Sequence, residues 1–320
     1  MMNDERAKEL ACLPDLWSWR GERVLLGVRS IRPGFLQDPQ NYCVVSMKSV
    51  LSRLIPLLAV VSTAGLAQQP EKPSPTGYSD TPLIPGTKWK VHDIDRPAPE
   101  VIAPGKKLGG APADAIVLFD GSSTDAFLGV VKGADGKPTG EKGPCVWKID
   151  NGELVVDGGD SWTKQEFGSC QFHIEWKSEP HTKGNSQKKG NAGVFFMDRY
   201  ESQMVDCYNN PTYADGHTGA IYGQTPPMVN AVRPAGEWQV YDIVFTAPKL
   251  KDGKVVEPAY ITTFVNGVCV QNHTAIMGPT QHKKTTSYEG EFPETAPFRL
   301  QDHKNDPPVR MRNIWVRKLP

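Results

Sequence analysis

Two short turns constrain this 320-residue chain more than any other feature. Asp150-Asn-Gly152 stands between Cys145-Val-Trp-Lys-Ile149 and Glu153-Leu-Val-Val156, and Asn266-Gly267 stands between Phe264-Val265 and Val268-Cys269. An Asn-Gly pair supplies the two positive-φ residues of a type I′ turn, whose twist matches that of antiparallel strands. Each therefore predicts a tight β-hairpin. Around them the chain breaks into short apolar or alternating runs separated by Gly, Pro, Asn and Asp, the spacing of an all-β sandwich. Strands are predicted at 116–119, 145–149, 153–156, 170–176, 192–196, 201–205, 239–246, 259–265, 268–272, 298–301 and 309–317. Gly 30 and Pro 28 fit many turns better than a helix bundle. No helix of more than a turn or two is supported, and there is no internal repeat. The expected fold class is all-β: a two-sheet antiparallel jelly-roll sandwich, one face of each sheet buried and another free to form a groove.

The N-terminal third reads differently. Lys48 and Arg53 form a positive n-region, Leu54 to Val61 an apolar stretch, and Gly65 with Ala67 a small-residue cleavage site before Gln68. The apolar run is too short to span a bilayer of about 30 Å comfortably. Residues 47–67 are thus predicted to be a secretory signal peptide, with no transmembrane helix left after cleavage and a periplasmic or secreted destination. No cysteine follows the small residues, so a lipoprotein anchor is not supported. Residues 1–46 precede this signal, with Trp17 and Trp19 but no clear periodicity, which makes Met47 the inferred start; a genuine extended leader is the alternative. Residues 68–112, with Gln-Pro-Glu-Lys-Pro-Ser-Pro and Asp-Arg-Pro-Ala-Pro-Glu, read as a Pro-rich linker and extended arm. Within it, Trp89 to Asp95 alternates enough to dock as an edge strand. Residues 113–320 form the sandwich domain.

Lys plus Arg equals Asp plus Glu, 36 each, without a long basic run, so a nucleic-acid partner is excluded. Export would leave Cys145, Cys170, Cys207 and Cys269 in a disulfide-permissive compartment, yet a domain this large does not need bridges, and both states stay open. Scattered histidines without HExxH spacing give little metal signal. A Ca²⁺ ion held by loop carboxylates and carbonyls is compatible with such a sandwich. No nucleophile elbow is present.

Long insertions at 129–144, 179–190, 208–234 and 277–297 are expected to be binding loops or lids. Between them, Glu201-Ser-Gln203-Met-Val-Asp206 puts Glu201 and Gln203 on one strand face and Asp206 on the other. A β-bulge after Gln203 would return Asp206 to the first face; a solvated strand face is the plainer reading. Gln301, His303, Arg310 and Arg312 alternate on what read as two neighbouring terminal strands; either they face the same groove as Glu201, or Arg310 and Arg312 are exposed strand residues and His303 holds the turn. Asn191 beside Gly193, and Tyr222 between flexible residues of Gly219-Ala-Ile-Tyr-Gly223, offer substrate contacts or simple turns. Trp147, Trp176 and Trp315 read as core, Trp162 and Trp238 as sugar-stacking candidates.

Taken in order, these segments resemble the 3-keto-disaccharide hydrolase family from about Ala115 to Leu319. The resemblance is carried by Leu118-Phe-Asp-Gly121, Trp147 with Asn151-Gly-Glu-Leu-Val-Val156, Phe172-His-Ile-Glu-Trp176, Asn191-Ala-Gly-Val-Phe-Phe196 and Tyr200-Glu-Ser-Gln-Met-Val-Asp206. It continues through Gly219-Ala-Ile-Tyr-Gly223, Gly236-Glu-Trp238, Val265-Asn-Gly267, Leu300-Gln-Asp-His303 and Arg312-Asn-Ile-Trp-Val-Arg317. Lys304 departs from the family's Gly after the Gln-Asp-His triplet. The resemblance implies a concanavalin-A-like sandwich and cleavage of glycosides whose sugar carries a C3 ketone. Such a substrate calls for a base at C2, an acid at the leaving oxygen and a donor toward the enolate. Glu201 is the candidate base, His303 and Asp206 are candidates for acid or metal ligand, and Arg312 or Tyr222 for carbonyl polarisation. Gln203, Asn191, Gln301 and Trp238 complete the expected carbohydrate contacts. A non-catalytic carbohydrate-binding sandwich and a cell-surface structural protein are the competing readings.

If the signal reading holds, exported protein begins at Gln68. N-terminal sequencing of the secreted or periplasmic form checks it, and a mature terminus upstream of Met47 would contradict it.

Overall fold

The computed structural model describes residues 75–320. The leader at 1–46 and the signal segment at 47–67 lie outside the described residues. In chain order the strands are β1 (Ile116–Phe119), β2 (Phe127–Lys132), β3 (Pro138–Pro144), β4 (Lys148–Asp150), β5 (Glu153–Val155) and β6 (Ser161–Phe167). Then come β7 (Cys170–Lys177), β8 (Ala192–Phe196), β9 (Tyr200–Met204), β10 (Gln239–Thr246) and β11 (Lys249–Lys251). Last are β12 (Lys254–Glu257), β13 (Tyr260–Val265), β14 (Val268–Ala275), β15 (Ala296–Leu300) and β16 (Arg310–Lys318). Among the described residues, helix is confined to 3-10 turns at Ser186–Lys188 and Ala214–Gly216.

The strands form the expected two antiparallel sheets, not closed into a barrel. The larger sheet runs β14-β13-β10-β7-β16-β5-β4, with β1 also paired to β16; the smaller runs β3-β2-β6-β15-β8-β9; β11 and β12 form a separate hairpin. Both predicted turns hold: Asn151 and Gly152 have φ of 54° and 77°, and Asn266 and Gly267 have 53° and 81°. Asp252-Gly253 makes a third turn of the same kind, between β11 and β12.

Alternation builds the core. Ala192, Val194 and Phe196 of β8, Tyr200 and Met204 of β9, and Ala296, Phe298 and Leu300 of β15 point inward from the smaller sheet. Phe172 and Ile174 of β7 and Ile243 and Phe245 of β10 meet them from the larger one. The ring centroids of Phe172, Phe196 and Phe298 lie 5.0–5.7 Å apart, mostly edge to face, and Phe196 stacks on Phe245 at 4.8 Å. Burying each such side chain contributes about 1.5–3 kcal/mol. Trp147, Trp176 and Trp315 are buried, as the sequence implied.

Three expectations change. The 129–144 insertion is the β2–β3 hairpin; its second strand is polar and exposed, so no apolar period marked it. Strand β6 also went unread, because Trp-Thr-Lys-Gln-Glu carries little apolar alternation. Trp89 to Asp95 is no edge strand: it holds turns and isolated bridges, Tyr78 with Asp93 and Leu83 with Lys90. The C-terminal end of the arm is pinned instead through the Gly109 carbonyl, which accepts from Asn313 Nδ2 and Trp315 Nε1 at 2.8 and 2.9 Å. Cys145, Cys170, Cys207 and Cys269 are all free thiols. No helix among the described residues is long and apolar enough to cross a membrane.

Replacing Phe298 by Ala removes a ring that touches both sheets. Urea unfolding should register a loss of about 3–5 kcal/mol, and a loss below about 1 kcal/mol would contradict this packing.

Candidate active site

The residues that alternate away from the core on the smaller sheet converge on one pocket of about 400 Å³. Strand β9 contributes Glu201 and Gln203, β8 contributes Phe195, and β15 contributes Arg299 and, one residue past its end, Gln301. Strand pairing aligns them: Arg299 lies opposite Phe195, and Phe195 opposite Glu201. Gln203 lies opposite Gly193, whose carbonyl accepts the Gln301 amide at 2.9 Å. Gly193 leaves room for the Glu201 carboxyl: a Cβ there would stand 2.6 Å from Oε1 and displace it. The carboxyl thus lies flat over the neighbouring strand's backbone.

Loops close the rim. Gln187 and Asn191 come from the 179–190 insertion and its end, Tyr213 and Tyr222 from 208–234, and Thr280 and His282 from 277–297. Gln187 ties this wall together: its Oε1 accepts from Gln203 Nε2 at 2.7 Å and Asn191 Nδ2 at 3.3 Å, while its Nε2 donates to Thr212 and Gly216. Asn191 Oδ1 is buried without a partner and Asn191 lines the pocket, leaving an acceptor for a ligand. Tyr222 Oη lies 2.6 Å from Tyr213 Oη and 2.9 Å from His282 Nδ1. His303 is exposed at the rim. Asp302 is spent differently, accepting from the Gly158 and Gly159 amides at 3.1 and 2.8 Å while its own amide donates to Asp160. The Gln-Asp-His triplet therefore sends two residues to the pocket and one to a supporting turn.

Glu201 is 5 % exposed, and among the described residues no donor bonds its carboxyl. Burial pushes the carboxyl up to about 8; the Arg299 charge pulls downward less strongly, and Asp160 adds to the rise. Arg299 is itself held, its Nε on Asp198 at 2.6 Å and its Nη1 on Asp160 at 2.7 Å, with the guanidinium 3.5 Å from the Phe195 ring centroid. Held by these two carboxylates, Arg299 makes no ion pair with Glu201 among the described residues. Burial also raises Tyr222, with Tyr213 next in effect.

Three predicted site residues lie elsewhere. Asp206 does not return to the pocket: β8 and β9 pair without a bulge, and Asp206 sits beyond the strand, 3.1 Å from Lys189 Nζ. Arg312 and Trp238 lie on the outer side of the larger sheet, because β15 and β16, consecutive in sequence, belong to different sheets. There Arg312 bonds Glu175 at 2.6 Å and covers the Trp238 ring at 3.9 Å, with Lys177 at 4.8 Å from the same ring. Glu175 is held down at about 2, chiefly by His173, then by Asn313 and Arg312. Arg310 bridges Asp150, Glu153 and Glu179 on that same sheet. Trp162 faces outward under Lys142 at 4.2 Å. No group of three or more His, Cys, Asp or Glu side chains converges as a metal site among the described residues. Beside the pocket, Asp160 and Asp198 are engaged by Arg299 and Asp302 by backbone amides.

Residues 114–317 match the family described as a 3-keto-alpha-glucoside-1,2-lyase-like domain. The chain belongs to this family. A crystal structure from Parabacteroides distasonis, described as a "putative glycosyl hydrolase", is 39% identical, covers 77% of this chain and 100% of its own, and superposes with a TM-score of 0.63. A second from the same organism, described in the same words, is 18% identical over 65% of this chain and 94% of its own, with a TM-score of 0.43. No curated protein matches. The 3-keto-alpha-glucoside-1,2-lyase-like domain of this chain is thus a carbohydrate-active sandwich, and its pocket holds Glu201, Gln203, Asn191, Tyr222, Gln301 and His303 together.

Sequence reasoning missed Arg299, Phe195, Gln187, Thr280 and His282. Arg299 had a signal, since it precedes Gln301 by two residues on the same strand phase. The loop residues had none beyond the length of their insertions.

An acid raised by burial binds its proton in the folded state between its usual 4.5 and about 8, so stability falls as pH climbs through that window and is level above it. Glu201→Gln cannot ionise. Its melting temperature should lose less than the wild type's between about pH 5 and pH 9, the gap being about 2–4 °C for each kcal/mol. Parallel curves would show that Glu201 is not a buried acid.

Proposed function

We propose that this protein cleaves glycosides, α-glucosides foremost, whose sugar carries a ketone at C3, by proton removal at C2. The observation that supports this most is that Glu201 is the one carboxylate among the described residues lining the pocket. An ordinary glycosidase needs a pair, about 5–5.5 Å apart for retention or 6.5–9.5 Å for inversion. Asp206, the second acid that sequence offered, faces away. A C3 ketone acidifies the C2 proton, so a single base suffices for an elimination.

In this scheme Glu201 takes the C2 proton and the electron pair forms the C3 enolate. The enolate then collapses to a C1–C2 double bond as the C1–O bond breaks, and the departing oxygen receives a proton from an acid on the rim. Water adds to C1, and the proton returns to C2. A base near 8 is matched to a weak carbon acid better than an ordinary carboxylate is. Gln301 and the unengaged Nη2 of Arg299 are the donors for the C3 oxygen, and His303 or Tyr222 is the acid at the leaving group. The two-sheet scaffold sets Glu201 and Arg299 on strands, which limits their drift. We also propose that the enzyme acts after export, on the strength of the three-part segment at 47–67.

The test is incubation of purified protein with a 3-keto α-glucoside in D₂O, following aglycone release and C2 labelling of the product, with EDTA in a parallel sample. Release with enzyme-dependent deuterium at C2, abolished in Glu201→Gln, is expected. Release without C2 label would replace elimination by direct hydrolysis, and tight binding without release would make the protein a carbohydrate binder.

A further inference from the structure

A second cavity of about 590 Å³ opens beside the Glu201 pocket, and Tyr213, Tyr222 and His282 line both. Its other walls include Met277, Gln224, Lys283, Lys284, Asp215 and Thr286. About half of the polar side chains of these walls are committed to one another or to backbone. Tyr222 Oη joins Tyr213 Oη and His282 Nδ1 at 2.6 and 2.9 Å. Gln224 donates to the Gly278 carbonyl at 3.0 Å and accepts from the Met277 amide at 2.7 Å, and Thr286 Oγ1 donates to the Pro279 carbonyl at 2.6 Å. The open surface is mostly apolar, aromatic rings and the Met277 thioether, which is 53% exposed, while the side chains of Asp215, Gln281 and Thr285 make no hydrogen bond among the described residues. Lys283 and Lys284 stand at this cavity with no carboxylate within ion-pair distance among the described residues.

A second sugar ring seated here would set most of its hydroxyls against that apolar surface, and an unpaired buried hydroxyl costs about 1–3 kcal/mol. An aryl ring brings no such demand. It buries apolar area against Tyr and Met and offers a π-face to the ammonium groups. We infer that this annex is the aglycone subsite and that it takes an aryl aglycone in preference to a second sugar. The inference rests on the reading of the Glu201 pocket as the glycone site, since the shared wall then lies on the side of the leaving oxygen.

Binding alone tests it, without turnover. Calorimetric titration of the full protein with 4-nitrophenyl α-glucoside, methyl α-glucoside and maltose should show the aryl glucoside binding roughly tenfold tighter than either other probe. Met277→Asp, at an exposed position that leaves the core untouched, should erase that advantage while methyl α-glucoside binding stays unchanged; Met277→Ala should erase part of it. Maltose binding as tightly as the aryl glucoside, an aryl advantage that survives Met277→Asp, or no measurable binding of the aryl probe would overturn the assignment. Failure of the keto-glycoside chemistry would show instead as absent aglycone release with this binding order intact.

Discussion

Phe172, Phe196 and Phe298 interlock across the two sheets, and the placement of the pocket's strand residues follows from that contact. Because strand side chains alternate, seating Phe196 and Phe298 inward forces Phe195 and Arg299 outward, and seating Tyr200 and Met204 inward does the same for Glu201 and Gln203. A one-residue slip of any of these strands would exchange its core residues for its pocket residues. The aromatic lock is thus also what holds the pocket's polar face in register, and the energy of burial on one side underwrites the chemistry on the other.

That polar face is unusual in what it does with charge. Arg299, the cation beside Glu201, is ion-paired to Asp160 and Asp198, and its pull on the Glu201 carboxylate is outweighed by burial. Gly193 removes the side chain that would otherwise stand over the neighbouring strand, so the carboxyl lies close to backbone and away from solvent. Desolvation then dominates, and a residue type that is ordinarily ionised far below neutrality keeps its proton up to about 8. The same site, with Glu201 exposed or paired to a free arginine, would hold only an ordinary carboxylate.

Much of this was legible from residues alone. The two Asn-Gly turns, the bounds of β8 and β10, and the Glu201-x-Gln203 face all followed from turn chemistry and period two. The gathering of Asn191, Tyr222, Gln301 and His303 with them was anticipated as well. What stayed hidden depended on information outside a local window. Strand β3 is an exposed polar edge with no apolar period, the bulge that would have recruited Asp206 does not form, and β15 and β16 diverge into different sheets although they follow one another in the chain. That last divergence carried Arg312 and Trp238 to the far side of the sandwich, where they serve a Glu175 network under the arm.

The account stands on Glu201 acting as a base whose proton is held by burial. The measurement that bears on it most directly is the pH dependence of kcat/KM on a 3-keto α-glucoside. An activity that rises with pH through an apparent pKa near 8 and then levels, a limb set by the free enzyme's essential base, is the predicted result. A rate that is already level from about pH 6 upward would mean that the base is an ordinary ionised carboxylate or another group, and would contradict it.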